Sequence, residues 1–232
     1  PRRQRQMCIR DRIGGGEGSF IGAIHRNAAL LDNCYELTAG SFSSDYENSK
    51  LTGEKLFLDP SRIYKNYEEM LEKESNISEN QRIDVVSIVT PNHLHFDPAI
   101  KSLEKGLPVI IDKPMTFDTQ QAKILHDKVE KTKIPFAVTH TYTGYPMVKQ
   151  ARSLVLDGKI GKVRKVAVEY PQGWLSTMLE KDNNKQASWR TDPSKSGKAG
   201  SMGDIGTHAA NMVEYVTGKK IKRLLSKVNV FV

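Results

Sequence analysis

Two cysteines in 232 residues, Cys8 and Cys34, cannot make a disulfide framework, and they lack the paired spacing of a zinc site. No metal is therefore expected, and a reducing cytoplasm is the expected compartment. No apolar run approaches the ~20 residues that a membrane-spanning helix needs. The basic start is not followed by the apolar segment of a secretory signal, so no membrane partner is expected. Aromatic residues are only 7% of the chain and are not interleaved with basic ones, as single-strand nucleic-acid binders require. The formal charge of +8 does not change this. Residues 1–12 hold five arginines against one aspartate, a net of +4, and the other +4 is scattered among acids over the remaining 220 residues. No nucleic-acid partner is expected. Internal repeats and low-complexity segments are missing as well. With 38% hydrophobic and 27% charged residues, the chain reads as globular, long enough for one large or two modest domains.

What the chain does have is alternation. A glycine-rich segment, Gly14-Gly15-Gly16-Glu17-Gly18, precedes a helical pattern over residues 19–31, with Ile21, Ile24, Ala28 and Leu31 spaced for one buried face. Strands are expected at 35–42, 84–89, 109–111 and 136–139. Helices are expected at 46–53, 66–74, 96–105, 119–131 (capped by Thr116 or Asp118) and 145–156. Short strands alternating with helices imply an α/β fold, a Rossmann-type doubly wound parallel sheet with right-handed crossovers. After Gly161 the pattern changes. Residues 163–170 alternate like a strand with one wet face, and 171–200 form a long polar loop. Residues 204–217 read as a helix burying Ile205, Ala209, Met212, Val213 and Val216, and 224–232 begin a strand. The expected organisation is a dinucleotide-binding domain over 13–143, then a partial α+β substrate and dimerisation domain over 144–232.

The start of the chain does not fit this scheme. A dinucleotide fold needs an apolar strand just before its glycine turn, yet Arg10-Asp11-Arg12-Ile13 stands there. The stretch Gln6-Met7-Cys8-Ile9-Arg10-Asp11-Arg12 resembles the translation of a transposon-end adapter from sequencing libraries. Residues 1–12 are accordingly read as a non-native or disordered tail, and the first strand is expected to be missing.

Several motifs point to chemistry. Glycines at the turn let a pyrophosphate approach a helix N-terminus. Two registers are open, Gly14-x-Gly16-x-x-Ser19 and Gly16-x-Gly18 with Gly22, and the expected cofactor contacts here are Gly14, Gly16, Gly18, Ser19, Phe20 and Ile21. The second strand ends in Ser43-Ser44 rather than in the acid that holds the ribose of NAD. Hydroxyls accept a 2′-phosphate, so the cofactor is NAD or NADP, with this pair leaning toward NADP. Thr90-Pro91-Asn92 and His95 close one apolar strand, and Lys113-Pro114 closes the next, both at carboxyl ends, where open α/β sheets bind ligands. Asp204 and His208 lie four apart, on one face of a helix. A lysine, a histidine and an aspartate in one cleft suit removal of a proton from an alcohol while hydride leaves its carbon. Tyr142, Trp174, Trp189 and Arg190 are candidate substrate-pocket walls.

In order, the glycine turn, Thr-Pro-Asn, Asp-Lys-Pro, Tyr-Pro before a helix, Trp-Arg and Asp-x-x-x-His resemble the glucose–fructose oxidoreductase, inositol dehydrogenase and MocA (Gfo/Idh/MocA) family, from about residue 13 to 232. The resemblance implies an NAD(P)-dependent enzyme acting on a sugar, a cyclitol or a keto derivative. It implies that Lys113 positions the substrate hydroxyl and the nicotinamide, that His208 is the acid/base, and that Asp204 binds a hydroxyl or orients the histidine. It also implies a homo-oligomer formed through the C-terminal sheet. Where the family more often has Glu-Lys-Pro, this chain has Asp112-Lys113-Pro114. Two other readings keep the same fold: a non-catalytic dinucleotide and sugar sensor, and a glycosidase-type enzyme that removes hydride transiently with no net redox change.

Overall fold

The computed structural model describes residues 8–78, 80–182, 184–197 and 200–229. Five parallel strands form one sheet in the order β2-β1-β3-β4-β5. They are β1 (Cys8–Ile13), β2 (Tyr35–Ser41), β3 (Val85–Ile88), β4 (Val109–Asp112) and β5 (Phe136–Thr139). Between them run α1 (Phe20–Leu30), α2 (Tyr46–Lys55), α3 (Tyr67–Ser75), α4 (Phe96–Glu104) and α5 (Thr119–Thr132). The boundaries follow local chemistry. Asp45, Asn66 and Asp118 cap α2, α3 and α5 by accepting backbone N–H groups of the first turn. The core is aliphatic and lies under β1, β3 and β4, where Ile13, Val86, Ile88, Leu103, Ile111 and Leu125 are buried.

The strand expected to be missing is present. Cys8–Ile13 pairs with β2 on one side and β3 on the other, with a one-residue slip against β2 between Arg10 and Asp11. Residues 8–12 are therefore sheet, not tail; residues 1–7 of the expected tail, Met7 included, lie outside the described residues. The strand carries its charges into the interior, because Arg10, Asp11 and Arg12 are all buried. Arg10 donates to Ser87 Oγ and to the carbonyl of His25 (3.2 Å), and Arg12 donates to the carbonyl of Gly22. Arg10 Nε, Arg12 Nε and Nη2, and Asp11 Oδ2 have no partner. Burial, with Glu74 nearby, raises the Asp11 carboxyl well above its usual range. Burial, with Arg10 and Arg26 alongside, pushes Arg12 down to about 8.

A second departure lies on α1, which turns Gly22, Arg26 and Leu30 toward those arginines. The apolar stripe expected on α1 is not buried: Ile24, Ala28 and Leu31 are exposed, and Gly22 is the buried residue of the helix. Guanidinium groups fill the layer between α1 and the sheet and bond to helix carbonyls, leaving a cavity of about 310 Å³ lined by Arg10, Arg12, Arg26, Leu30 and Tyr35.

Past the sheet come α6 (Pro146–Leu156), two short helices α7 (Lys185–Arg190) and α8 (Pro193–Ser196), a π-helical turn (Met202–Gly206) and α9 (Thr207–Thr217). The helix expected over 204–217 thus begins as a π turn, and the residues expected to be buried along it are half-buried, against α6. The strands expected at 163–170 and 224–232 are not formed over the described residues. Both segments are unpaired and exposed, and residues 230–232 lie outside the description. Alternation of side chains specifies a strand only when a neighbouring backbone takes up its N–H and C=O groups.

Candidate active site

The glycine turn is built for close approach. Gly14, Gly15 and Gly18 adopt positive φ angles of 83°, 74° and 78°, which side chains other than glycine adopt at a cost. A Cβ on Gly14 would lie 2.9 Å from Thr90 Cγ2, and one on Gly22 would lie 2.4 Å from the Gly15 carbonyl oxygen. Gly22 is therefore the residue that lets helix and turn touch. Ser19, the other candidate for that place, is the N-cap of α1 and donates its N–H to the Gly16 carbonyl (2.9 Å). Phe20 is exposed and Ile21 half-buried at the helix start. A turn this tight, where a Cβ on Gly14, Gly15 or Gly16 would strike neighbouring protein atoms, stands ahead of a helix N-terminus and fits the pyrophosphate of a dinucleotide.

Ser43 and Ser44 follow the carboxyl end of β2. The Ser43 hydroxyl accepts the Asp45 N–H (3.1 Å), and the Asp45 carboxylate accepts the Glu47 N–H (3.0 Å). Asp45 is thus engaged in capping α2. Thr90 follows β3, where its hydroxyl donates to the Leu94 carbonyl (3.1 Å), and Asn92 is buried at the start of a short 3₁₀ turn. His95, expected to face the cofactor, does not. Its side chain is fully buried, with Nε2 2.8 Å from the Thr90 carbonyl oxygen and Nδ1 2.7 Å from that of Pro114.

Lys113 follows β4 and meets the π turn 91 residues later. Its Nζ donates to Asp204 Oδ1 (2.6 Å) and to the Asp204 carbonyl oxygen (2.8 Å). Arg190 Nε donates to the other carboxylate oxygen of Asp204 (3.0 Å). Burial alone would raise the Asp204 carboxyl, but the two cations outweigh it and hold it below the ordinary range. Asp204 therefore remains an anion shared by Lys113 and Arg190. It makes no hydrogen bond to His208 in this arrangement.

His208 is buried at the second residue of α9, with its ring edge-on to Tyr142 (4.7 Å between centroids) and to His140 (5.8 Å). Its Nδ1 is enclosed and has no partner. Burial, then the nearby charge of Lys113 and the ring of His140, pull His208 down to about 4. It is a neutral imidazole at physiological pH, beside a cation. The structure thus brings Lys113, Asp204 and His208 together with Tyr142 and Arg190. Trp189 and Trp174 lie against the Arg190 guanidinium, at 4.1 and 5.6 Å from its carbon, so both steady the arginine that holds Asp204.

Two residues of the cluster escaped the sequence reading. His140 directly follows β5, the same strand-end position that singled out Lys113, and that signal could have found it. Tyr170, whose hydroxyl contacts that of Tyr142, lies in irregular chain and carried no signal.

A parallel sheet with a glycine turn, and a strand-end lysine met by an acid and a histidine from the following segment, define a two-part dinucleotide-binding protein. Residues 13–140 match the oxidoreductase family with an NAD-binding Rossmann fold, and residues 148–232 match the GFO/IDH/MocA C-terminal domain. The chain belongs to the Gfo/Idh/MocA oxidoreductase family. It is 36% identical over 222 residues to the uncharacterized oxidoreductase YfiI of Bacillus subtilis, covering 95% of this chain and 56% of that protein. It is 34% identical over 144 residues to levoglucosan dehydrogenase of Pseudarthrobacter phenanthrenivorans, covering 62% of this chain and 35% of that one. Among solved structures, an inositol dehydrogenase homolog complexed with NAD+ from Azotobacter vinelandii superposes with a TM-score of 0.87 at 35% identity, covering 93% of this chain and 54% of that one. The chain spans little more than half the length of even the more fully covered of these relatives.

Proposed function

We propose that the whole protein transfers a hydride between a nicotinamide cofactor and a secondary alcohol or ketone of a sugar or cyclitol. The observation that carries this reading is the junction of Lys113 with Asp204, beside a neutral His208, at the carboxyl ends of β4 and β5. Relatives named for inositol and levoglucosan supply the substrate class. The bound nicotinamide supplies the hydride acceptor or donor. The rest of the chemistry belongs to the chain. An ammonium has three N–H donors, and Asp204 takes two of them, so one is left for a substrate hydroxyl. That hydrogen bond, from a cation, favours the alkoxide character that develops as hydride departs. His208, uncharged and enclosed, accepts the hydroxyl proton. Asp204 and Arg190 keep the lysine aimed.

With Asp45 engaged in its cap, the hydroxyls of Ser43 and Ser44 are what the second strand offers to a cofactor ribose, an arrangement that suits NADP as well as NAD. The exposed thiols of Cys8 and Cys34 suit a reducing cytoplasm. The test is NAD(P)H formation by the whole protein across a panel of sugars and cyclitols, with both cofactors. Turnover of at least one polyol supports the reading. Binding of cofactor and sugar with no turnover of any of them overturns it in favour of a sensor.

A further inference from the structure

We propose that His95 is a positioning residue that ties the cofactor turn to the catalytic lysine, its ring held between the carbonyl oxygens of Thr90 and Pro114. This rests on the hydride-transfer reading for its consequence, but not for its geometry. Thr90 is packed against Gly14, where a Cβ would come within 3.0 Å of the Thr90 backbone nitrogen. Pro114 is covalently next to Lys113, whose ammonium reaches Asp204. His95 is the side chain that joins these two strand-end loops, at 2.8 and 2.7 Å and with no solvent exposure. One continuous line of contacts thus runs from the glycine cradle through Thr90, His95, Pro114 and Lys113 to Asp204.

Carbonyl oxygens only accept. A neutral imidazole carries one N–H, so it would turn a lone pair toward one of the two oxygens at under 3 Å. Only the imidazolium satisfies both. Burial pulls the proton off and draws the ring below its ordinary range; the two carbonyls and the Asp112 carboxylate of β4 act to keep it, and His93 on the adjoining turn acts against it. Burial is the stronger influence, so the ring is neutral at neutral pH, donates to one carbonyl and is held with its other nitrogen against the second. The ring then fixes the spacing between the turn that carries cofactor and the loop that carries Lys113.

Nitrogen-15 NMR of the histidine rings in the wild-type protein tests the tie without any assay of activity. One His95 nitrogen should carry a slowly exchanging proton at neutral pH, in a single tautomer; a ring whose protons exchange freely or that populates both tautomers overturns the proposal. In the whole protein, His95→Phe keeps a ring and removes the donor. It should lower kcat by about 10- to 100-fold while cofactor Kd changes by less than about threefold, and His95→Gln, which restores one donor, should recover part of the loss. Unchanged kcat in His95→Phe, or a loss seen entirely in cofactor affinity, overturns it. If Lys113→Ala also leaves turnover intact, the hydride-transfer reading fails separately, and the NMR result still decides the tie.

Discussion

At the scale of single residues, the site depends on one shared anion. Asp204 holds Lys113 and Arg190 at once, so neither cation is free to wander and the carboxylate stays charged. In the whole protein, Lys113→Ala and His208→Ala should each lower turnover by about two to four powers of ten, with cofactor affinity, measured by fluorescence titration, little changed. The depressed proton affinity of His208 has two consequences with defined signs. Its ring is neutral above about pH 4, so alcohol oxidation should hold its rate well below pH 6, where an ordinary histidine base would already be protonated. An acid limb in kcat/KM near 6.5 counts against His208 as the base. For stability, the unfolded ring titrates at 6.5 and the folded one at about 4. The unfolded state therefore binds more protons between these values, and the stabilisation is present above 6.5 and is lost as pH falls toward 4. His208→Gln should flatten that part of the stability profile, as measured by urea unfolding at a series of pH values.

At the scale of elements, β1 is where local sequence and global fold conflict. A central parallel strand buried on both faces normally reads as an unbroken apolar run, and here three consecutive charges occupy it, four of their polar atoms lacking a partner. Replacing a buried, poorly paired charge by a packed apolar side chain is often stabilising by about 1–4 kcal/mol. The double substitution Arg10→Val and Arg12→Val should raise the thermal midpoint by several degrees, on the order of 2–4 °C per kcal/mol for a chain of this size. A lowered midpoint would show that the guanidinium contacts to Ser87 and to the α1 carbonyls stabilise more than they cost. From β2 to α6 the elements were legible within a residue or two, because Asp and Asn caps and glycine stops act over a single turn. The face that α1 buries was not legible, since it depends on what β1 places beneath it.

At the scale of the whole molecule, residues 163–170 and 222–228 leave Val166, Val168, Tyr170, Leu224, Leu225 and Val228 exposed on backbone that joins no sheet. Extended apolar segments with free N–H and C=O groups are templates for pairing between chains. This chain should self-associate in a concentration-dependent way by light scattering, and Val166→Lys with Val168→Lys and Leu225→Lys should reduce it. Association unaffected by those changes would place the contact elsewhere. Taken alone, the sequence determined the alternation of strands and helices from β2 to α6, the glycine turn and the strand-end placement of Lys113, because each is set by periodicity and turn chemistry within a few neighbouring residues. Tertiary structure alone decided that Lys113 meets Asp204 across 91 positions, that His140 stands beside His208, and that His95 is enclosed between two carbonyls. It also decided that α1 turns Gly22 and Arg26, not Ile24 and Ala28, toward β1. Each of these depends on which distant backbone arrives beside a side chain, and on the low dielectric and loss of water that follow, which no local pattern encodes.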